Sequence, residues 1–243
     1  DENGQPFIKL NSNSAIKGVT IYYPEQQISG TVDQPQVVPF PWTIQGKGTC
    51  CSVIDTTLIN SYKGIDFGTH WNEMHHIRNL NALVLKTGIY VDNCTDIGRI
   101  ENVQLHTNYI NRSGIKNNPN WDVMHSYVEK NLVGFKIGRT DWEYMSNCFV
   151  IYPKIGFHFA DFGFRSGNVV LTQCGADITP CAVMVDDCQG HAGISFLNGQ
   201  FMGGIVISST NVGPVKFTGC GFWGYQTGMH LKNESNAQVT LNS

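Results

Sequence analysis

The chain has 243 residues, 41% of them hydrophobic and only 14% charged, with a formal net charge of -3 and a pI near 6.2. That supplies enough apolar material for one large core. It leaves no positive field for a nucleic acid, and no run of 18 apolar residues that would cross a membrane. The 26 glycines suit tightly turning β-structure, because glycine tolerates the left-handed backbone that turns require.

The N-terminal DENGQPFIKL is polar and carries no signal-peptide core. Residues 16–23, IKGVTIYY, read as a strand. Residues 24–49, rich in Pro, Gln and Gly, read as a long loop. From there a pattern recurs, in which a small residue is followed by an apolar, any and an apolar residue. Its copies begin at Gly64, Gly88, Gly134, Gly156, Ala182, Gly204 and Gly228. The spacings are 24, 46, 22, 26, 22 and 24, so 46 reads as two periods of about 23 with one rung replaced. Each copy alternates with period two, as a strand with one buried face does. No helix separates most copies, which excludes a βαβ arrangement. The expected fold is all-β: a single right-handed parallel β-helix over 1–243, about 23 residues per rung.

A second column keeps the same rhythm in another phase: Asp55, Asn79, Asn102, Asn147, Gln173 and Asn198. Stacked polar residues of this kind hydrogen-bond at a solenoid corner. The eight cysteines match no zinc spacing. Cys148 and Cys174 follow ladder residues and are expected as buried apolar fillers, or as an inter-rung disulfide. Residues 106–132 fall in the missing rung and carry one short helix, with Pro119 in its first turn and Trp121, Met124, Tyr127 and Val128 on one face. Neither end resembles a polar cap. The chain is therefore read as a fragment of a longer protein, or as one whose open ends meet missing segments or another chain.

On each repeated strand, the residue between the two apolar ones must face outward. These are Asp66, Tyr90, Lys136, His158, Met184, Val206 and His230. Two positions on lie Gly68, Asp92, Gly138, Ala160, Asp186, Ser208 and Lys232, with Arg139, Asp141, Trp142, Glu143 and Asp161 just beyond. Glycoside hydrolysis needs two carboxyl groups about 5 Å apart for retention or roughly 6.5–9.5 Å for inversion, and rungs are about 4.8 Å apart. The candidate catalytic residues are therefore Asp141, with Asp92, Asp66 and Asp161 as partners. Trp142, Tyr90 and Trp121 are candidates for stacking on sugar rings. Lys136, Arg139 and His158 are candidates for neutralising an acidic one. His75-His76 resembles half a metal site but has no partner at ligand spacing, so no metal is expected.

The segments KGVTIYYPEQ, PFPWTIQGKG, YKGIDFGTH, LKTGIYVDNCTDIGRIENVQLH and GFKIGRTDWEYMSNCFVIYPKIGFHF resemble the pectate-lyase-like superfamily of parallel β-helices. Within it they are similar to an uncharacterised branch of secreted bacterial proteins related to glycoside hydrolase family 28. The resemblance covers roughly residues 17–160. It implies an extracellular or cell-surface protein acting on a polysaccharide, most simply a hydrolase. The alternatives are a non-catalytic glycan-binding or adhesive solenoid of surface or phage-tail type, and a polysaccharide lyase. No cofactor is implied, save Ca²⁺ for a lyase. The family's Asn-x-Asp, Asp-Asp, Gly-His-Gly and Arg-x-Lys set is incomplete. Asp186-Asp187 and Gly190-His191-Ala192 lie too close in sequence to occupy separate rungs, and they are read as chance matches.

Overall fold

The computed structural model describes residues 1–108, 113–115, 119–224 and 231–242. The chain is a right-handed parallel β-solenoid of about eight turns with a single short helix. Three parallel sheets run its length. Sheet A contains Ile8–Leu10, Trp42–Gly46, residues 61–67 and 84–91, Val133–Ile137, Ile155–Phe159, Cys181–Val185, Gly204–Ile207 and Leu231–Asn233. Sheet B follows one corner later, from Ala15–Lys17 through residues 52–54, 76–78, 99–101 and 144–146 to Val239–Asn242. Sheet C runs from Thr20–Tyr22 to Gly221–Trp223.

Period-two alternation builds the interior. Ile44, Ile65, Ile89, Phe135, Phe157, Val183 and Ile205 stack in one inward column, all essentially buried. Phe135 and Phe157 stack face to face at 4.8 Å, and Phe196 and Phe217 do the same at 4.7 Å. Each such side chain contributes about 1.5–3 kcal/mol of burial. The small residue that opens each repeat has a steric cause. A Cβ on Gly88 would lie 2.4 Å from the Gly134 carbonyl of the next turn and 2.5 Å from Leu105.

The corner between sheets B and C is the polar column. Asp55, Asn79, Asn102, Asn147, Gln173 and Asn198 all hold φ between 51° and 55°, the left-handed region that Asn tolerates best. Asn102 Nδ2 donates to Asn79 Oδ1 at 2.8 Å, and Asn79 Nδ2 donates to Asp55 Oδ1 at 2.7 Å. The cysteines are free thiols, and Cys148 and Cys174 are buried at successive turns beside this corner.

Several boundaries differ from the sequence reading. The 46-residue interval skips no rung: Ile89 pairs directly with Phe135, and the chain leaves the solenoid after Leu105, at the corner between sheets C and A, and rejoins it at Val133. The end of the expected 24–49 loop is strand, since Trp42–Gly46 belongs to sheet A. The helix runs Trp121–Asn131, with Asn120 as N-cap bonding the Asp122 and Val123 amides. Pro119 therefore precedes the helix rather than opening it. Part of the seventh repeat copy, Gly228-Met229-His230, lies outside the described residues. The pairing of Val206 with Lys232 puts Lys232 in the outward row of that turn.

The two excursions meet outside that corner. Ser126 Oγ donates to the Val32 carbonyl at 2.6 Å, and Lys130 Nζ reaches the same oxygen at 3.3 Å. Met124 and Val128 pack into the main core.

Candidate functional site

The outward row of sheet A reads Gln45, Asp66, Tyr90, Lys136, His158, Met184, Val206 and Lys232 on successive turns. The expected stack is therefore present, but its members do different work. Asp66 is buried; its Oδ1 accepts the Gly68 and Thr69 amides at 2.8 Å and its Oδ2 accepts Gln45 Nε2 at 2.6 Å. Asp92 is buried too. Its Oδ1 accepts the amides of Asn93 (2.8 Å) and Arg139 (2.7 Å), and its Oδ2 accepts the Tyr90 hydroxyl at 3.0 Å. Burial raises the Asp92 pKa, partly offset by those amides. Both carboxylates cap backbone at the corner between sheets A and B.

Asp161, at the same corner two turns beyond Asp92, behaves differently. Its Oδ1 accepts the Gly163 and Arg165 amides at 2.8 and 2.9 Å, yet the residue is exposed and lines an open cleft. Ala160, Phe162, Asp186, Asp187 and Thr210 complete this cleft of about 420 Å³. The pairing of His158 with Met184 and Phe159 with Val185 sets Asp161 and Asp187 at equivalent places on adjacent turns. His158 Nε2 lies 2.7 Å from Asp186 Oδ2, and Ser208 of the next turn bonds the other oxygen of Asp186. Among the described residues, the Asp187 carboxylate has one hydrogen bond, a long one from the Val212 amide at 3.4 Å.

A second cleft of about 370 Å³ lies beside it, lined by Arg139, Asp141, Arg165, Ser166, Gln189 and His191. Asp141, first among the sequence candidates, is half-exposed there and pairs with Arg139 at 3.4 Å. The structure thus separates Asp141 from the row of Asp66 and Asp92, and brings Asp161 to Asp186 and Asp187 instead. The Asp pair and His191 do share one turn, as their spacing requires, but they face the two clefts. Asp186, Asp187 and His191 are not among the sequence candidates because they lie too close together to occupy the separate rungs of the family's site. The signal available was position: two steps beyond the sheet A strand on adjacent turns.

The aromatic candidates divide as well. Tyr90 stacks near Trp42 at 6.2 Å and sits under Phe162. Trp142 stacks with Tyr144 at 6.4 Å at the start of sheet B. Trp121 lies on the far side of the solenoid, stacked on His125 at 4.7 Å and against Tyr152. Lys136 Nζ is held between the Tyr90 and Phe162 rings, 4.6 and 4.2 Å from their centroids. Burial lowers its pKa, partly offset by Asp92 and Asp66.

The adjacent histidines serve structure. His76 pairs with Glu101 at 3.3 Å on the surface of sheet B. His75 points inward, its Nε2 3.0 Å from Glu143 Oε1 and its Nδ1 2.8 Å from Asn72 Oδ1, with all three residues buried. Two acceptors on one ring make it an imidazolium. Burial alone lowers its pKa, but Glu143 and the neighbouring hydrogen bonds outweigh this and raise it to about 10. The pair spans an intervening turn, where Gly98 leaves the room: a Cβ there would lie 2.2 Å from Glu143 Oε2 and 2.3 Å from His75 Cε1.

Among the described residues, no helix is long and apolar enough to cross a membrane, and no cluster of three or more metal-ligating side chains occurs. No known protein family matches the chain, and neither a curated protein nor a solved structure is similar to it; what is established is the parallel solenoid itself.

Proposed function

We propose that the chain is an extracellular glycan-processing solenoid that hydrolyses a polysaccharide in the cleft of Asp161, Asp186 and Asp187. One observation carries the reading. Carboxyl groups of two adjacent turns, Asp161 and Asp187, share one open cleft with an aromatic ring, Phe162. Turns about 4.8 Å apart suit the roughly 5 Å separation of a retaining pair. Asp161 is oriented by two backbone amides and Asp187 is almost unencumbered, so the two carboxyls have unequal surroundings. Unequal surroundings are what an acid and a nucleophile or base require. Asp186, fixed by His158 and Ser208, positions its neighbour.

A non-catalytic glycan-binding solenoid is the second reading. Its support is that Asp66, Asp92 and Asp161 all spend carboxylate oxygens on backbone amides.

The test is release of reducing ends from a panel of neutral and uronate polysaccharides, with Asp161→Asn and Asp187→Asn as variants. Hydrolysis lost in both variants, with binding retained, supports the cleft. Saturable binding with no release by the unmodified chain establishes the second reading. An unsaturated, ultraviolet-absorbing product would mark a lyase instead.

A further inference from the structure

The outward row of sheet A carries its densest chemistry at Tyr90, Lys136 and His158, on three successive turns. One side chain touches all three. The Phe162 ring meets Tyr90 edge-on at 6.1 Å, meets His158 edge-on at 5.1 Å, and lies 4.2 Å from Lys136 Nζ. Phe162 does not belong to that sheet. It comes from the loop that follows Ile155–Phe159, and it forms one wall of the carboxylate cleft.

The loop that carries the ring is held in an unusual shape. Gly163 adopts φ of 130° and Arg165 φ of 81°, two positive values within three residues directly after Phe162. A Cβ on Gly163 would meet nothing within 4 Å, so the glycine answers to backbone shape and not to crowding. Positive φ at Arg165 stores local strain. Beyond Arg165 the loop is anchored to the next turn, where Gln189 bonds the Ser166 and Gly167 carbonyls; the part that carries Phe162 is tied by Asp161 Oδ1, which accepts both the Gly163 and the Arg165 amides. Releasing that oxygen would free this part of the loop and leave the sheet beneath intact.

Lys136 gains little from being covered. Among the described residues no acceptor bonds its ammonium, which sits between two rings on a partly exposed side chain. Cation–π contact offsets part of the lost hydration. Removal of the Phe162 ring would leave the Lys136 ammonium, seated over the Tyr90 ring, beside the His158 imidazole and continuous with the cleft. An ammonium and an imidazole at the edge of an aromatic ring suit the hydroxyls or the carboxylate of a sugar.

We propose that Phe162 is a displaceable cover over a second sugar subsite formed by Tyr90, Lys136 and His158, which opens when its loop releases. The inference rests on the reading of the chain as a glycan-handling protein, because that reading supplies the occupant. The cover itself is independent of catalysis. A subsite open in about a tenth of molecules or fewer binds and reacts at least about tenfold more weakly than one held open.

The experiment is acetylation of lysines by a water-soluble succinimidyl ester, followed at Lys136 by peptide mass spectrometry and normalised to Lys63. Phe162→Ala should speed labelling of Lys136 by about tenfold or more, whereas Phe162→Trp should leave it slow. Circular dichroism verifies folding, and Phe162→Leu replaces the alanine variant should that one unfold. Labelling within twofold of the unmodified chain in a folded variant overturns the cover. Cellohexaose, maltohexaose and hexagalacturonate are then added to Phe162→Ala. Protection of Lys136 by at least one establishes the subsite, and protection by none overturns it even if the cover stands. Loss of reducing-end release is scored separately, so failure of hydrolysis and failure of the cover give different results.

Discussion

The corner between sheets A and B does two different things in the two halves of the molecule. In the turns before the helical excursion, Asp66 and Asp92 are buried and every oxygen that matters is taken by a backbone amide or a neighbouring side chain. In the turns after it, Asp161, Asp186 and Asp187 come from the same corner but line an open cleft. The residue type is the same and the positions lie within three residues of one another on the turn, Asp92 and Asp186 at the same one. The difference is what covers the carboxylate: Gln45 of the preceding turn bonds Asp66, and Tyr90 and the Arg139 amide bond Asp92, whereas Asp161 stays exposed to the cleft although it too accepts two amides of its own corner. An acidic residue near a solenoid strand thus takes its role from what the neighbouring turns fold over it.

The two halves are joined by the buried His75–Glu143 pair, which reaches from a turn before the excursion to the first turn after it. Cutting that link should have the largest effect. Glu143→Gln leaves an uncompensated imidazolium in the core and should cost about 3–5 kcal/mol in urea denaturation. The pH dependence follows from the raised pKa of His75. A folded-state value of about 10 lies above the ordinary 6.5 of the unfolded chain, so the stabilisation is complete below pH 6.5. It is lost as pH climbs towards 10. Stability measured between pH 6.5 and 10 should fall in the unmodified chain and stay nearly flat in Glu143→Gln. A flat profile in both would remove the ion pair from the account.

The comparison is sharpened by equal substitutions on either side. Asp187→Asn, in the open half, should lower glycan turnover by about 10²–10⁴-fold while shifting stability by less than about 0.5 kcal/mol. Asp92→Ala, in the closed half, should do the reverse: it strands the Asn93 and Arg139 amides and should cost about 2–4 kcal/mol in denaturation. If Asp92→Ala proves silent in stability, the contrast between the halves collapses. The smallest expected change lies at the opposite corner. Asn102→Ala forces an alanine into φ of 52° and removes one rung of the amide ladder, for about 1–2 kcal/mol. Asn102→Gly, which relieves the backbone term, should recover about half of that.

How much of this was legible in the sequence depends on whether a feature repeats. The polar column from Asp55 to Asn198 could be read because every turn needs one left-handed corner residue at the same phase, and few residue types tolerate it. The outward row from Asp66 to Val206 follows from the same periodicity. Features that occur once carry no such signal. His75 and Glu143 are 68 residues apart and are brought together only because Gly98 vacates the turn between them. Trp42–Gly46 was hidden by the prolines before it, and the excursion disguised a directly stacked pair of turns as a missing one. Phe162 was invisible because its ring crosses three turns from a loop with no counterpart elsewhere.

Stacked turns ordinarily fray like a loosened spring, each held only by the coil above and below. The meeting of the two excursions at the Val32 carbonyl changes this for part of the chain. A segment that leaves after the first turn grips one that leaves after the fourth, outside the coil itself. The early coils are thereby belted together and should let go as a block, whereas those beyond residue 194 have only their neighbours to hold them.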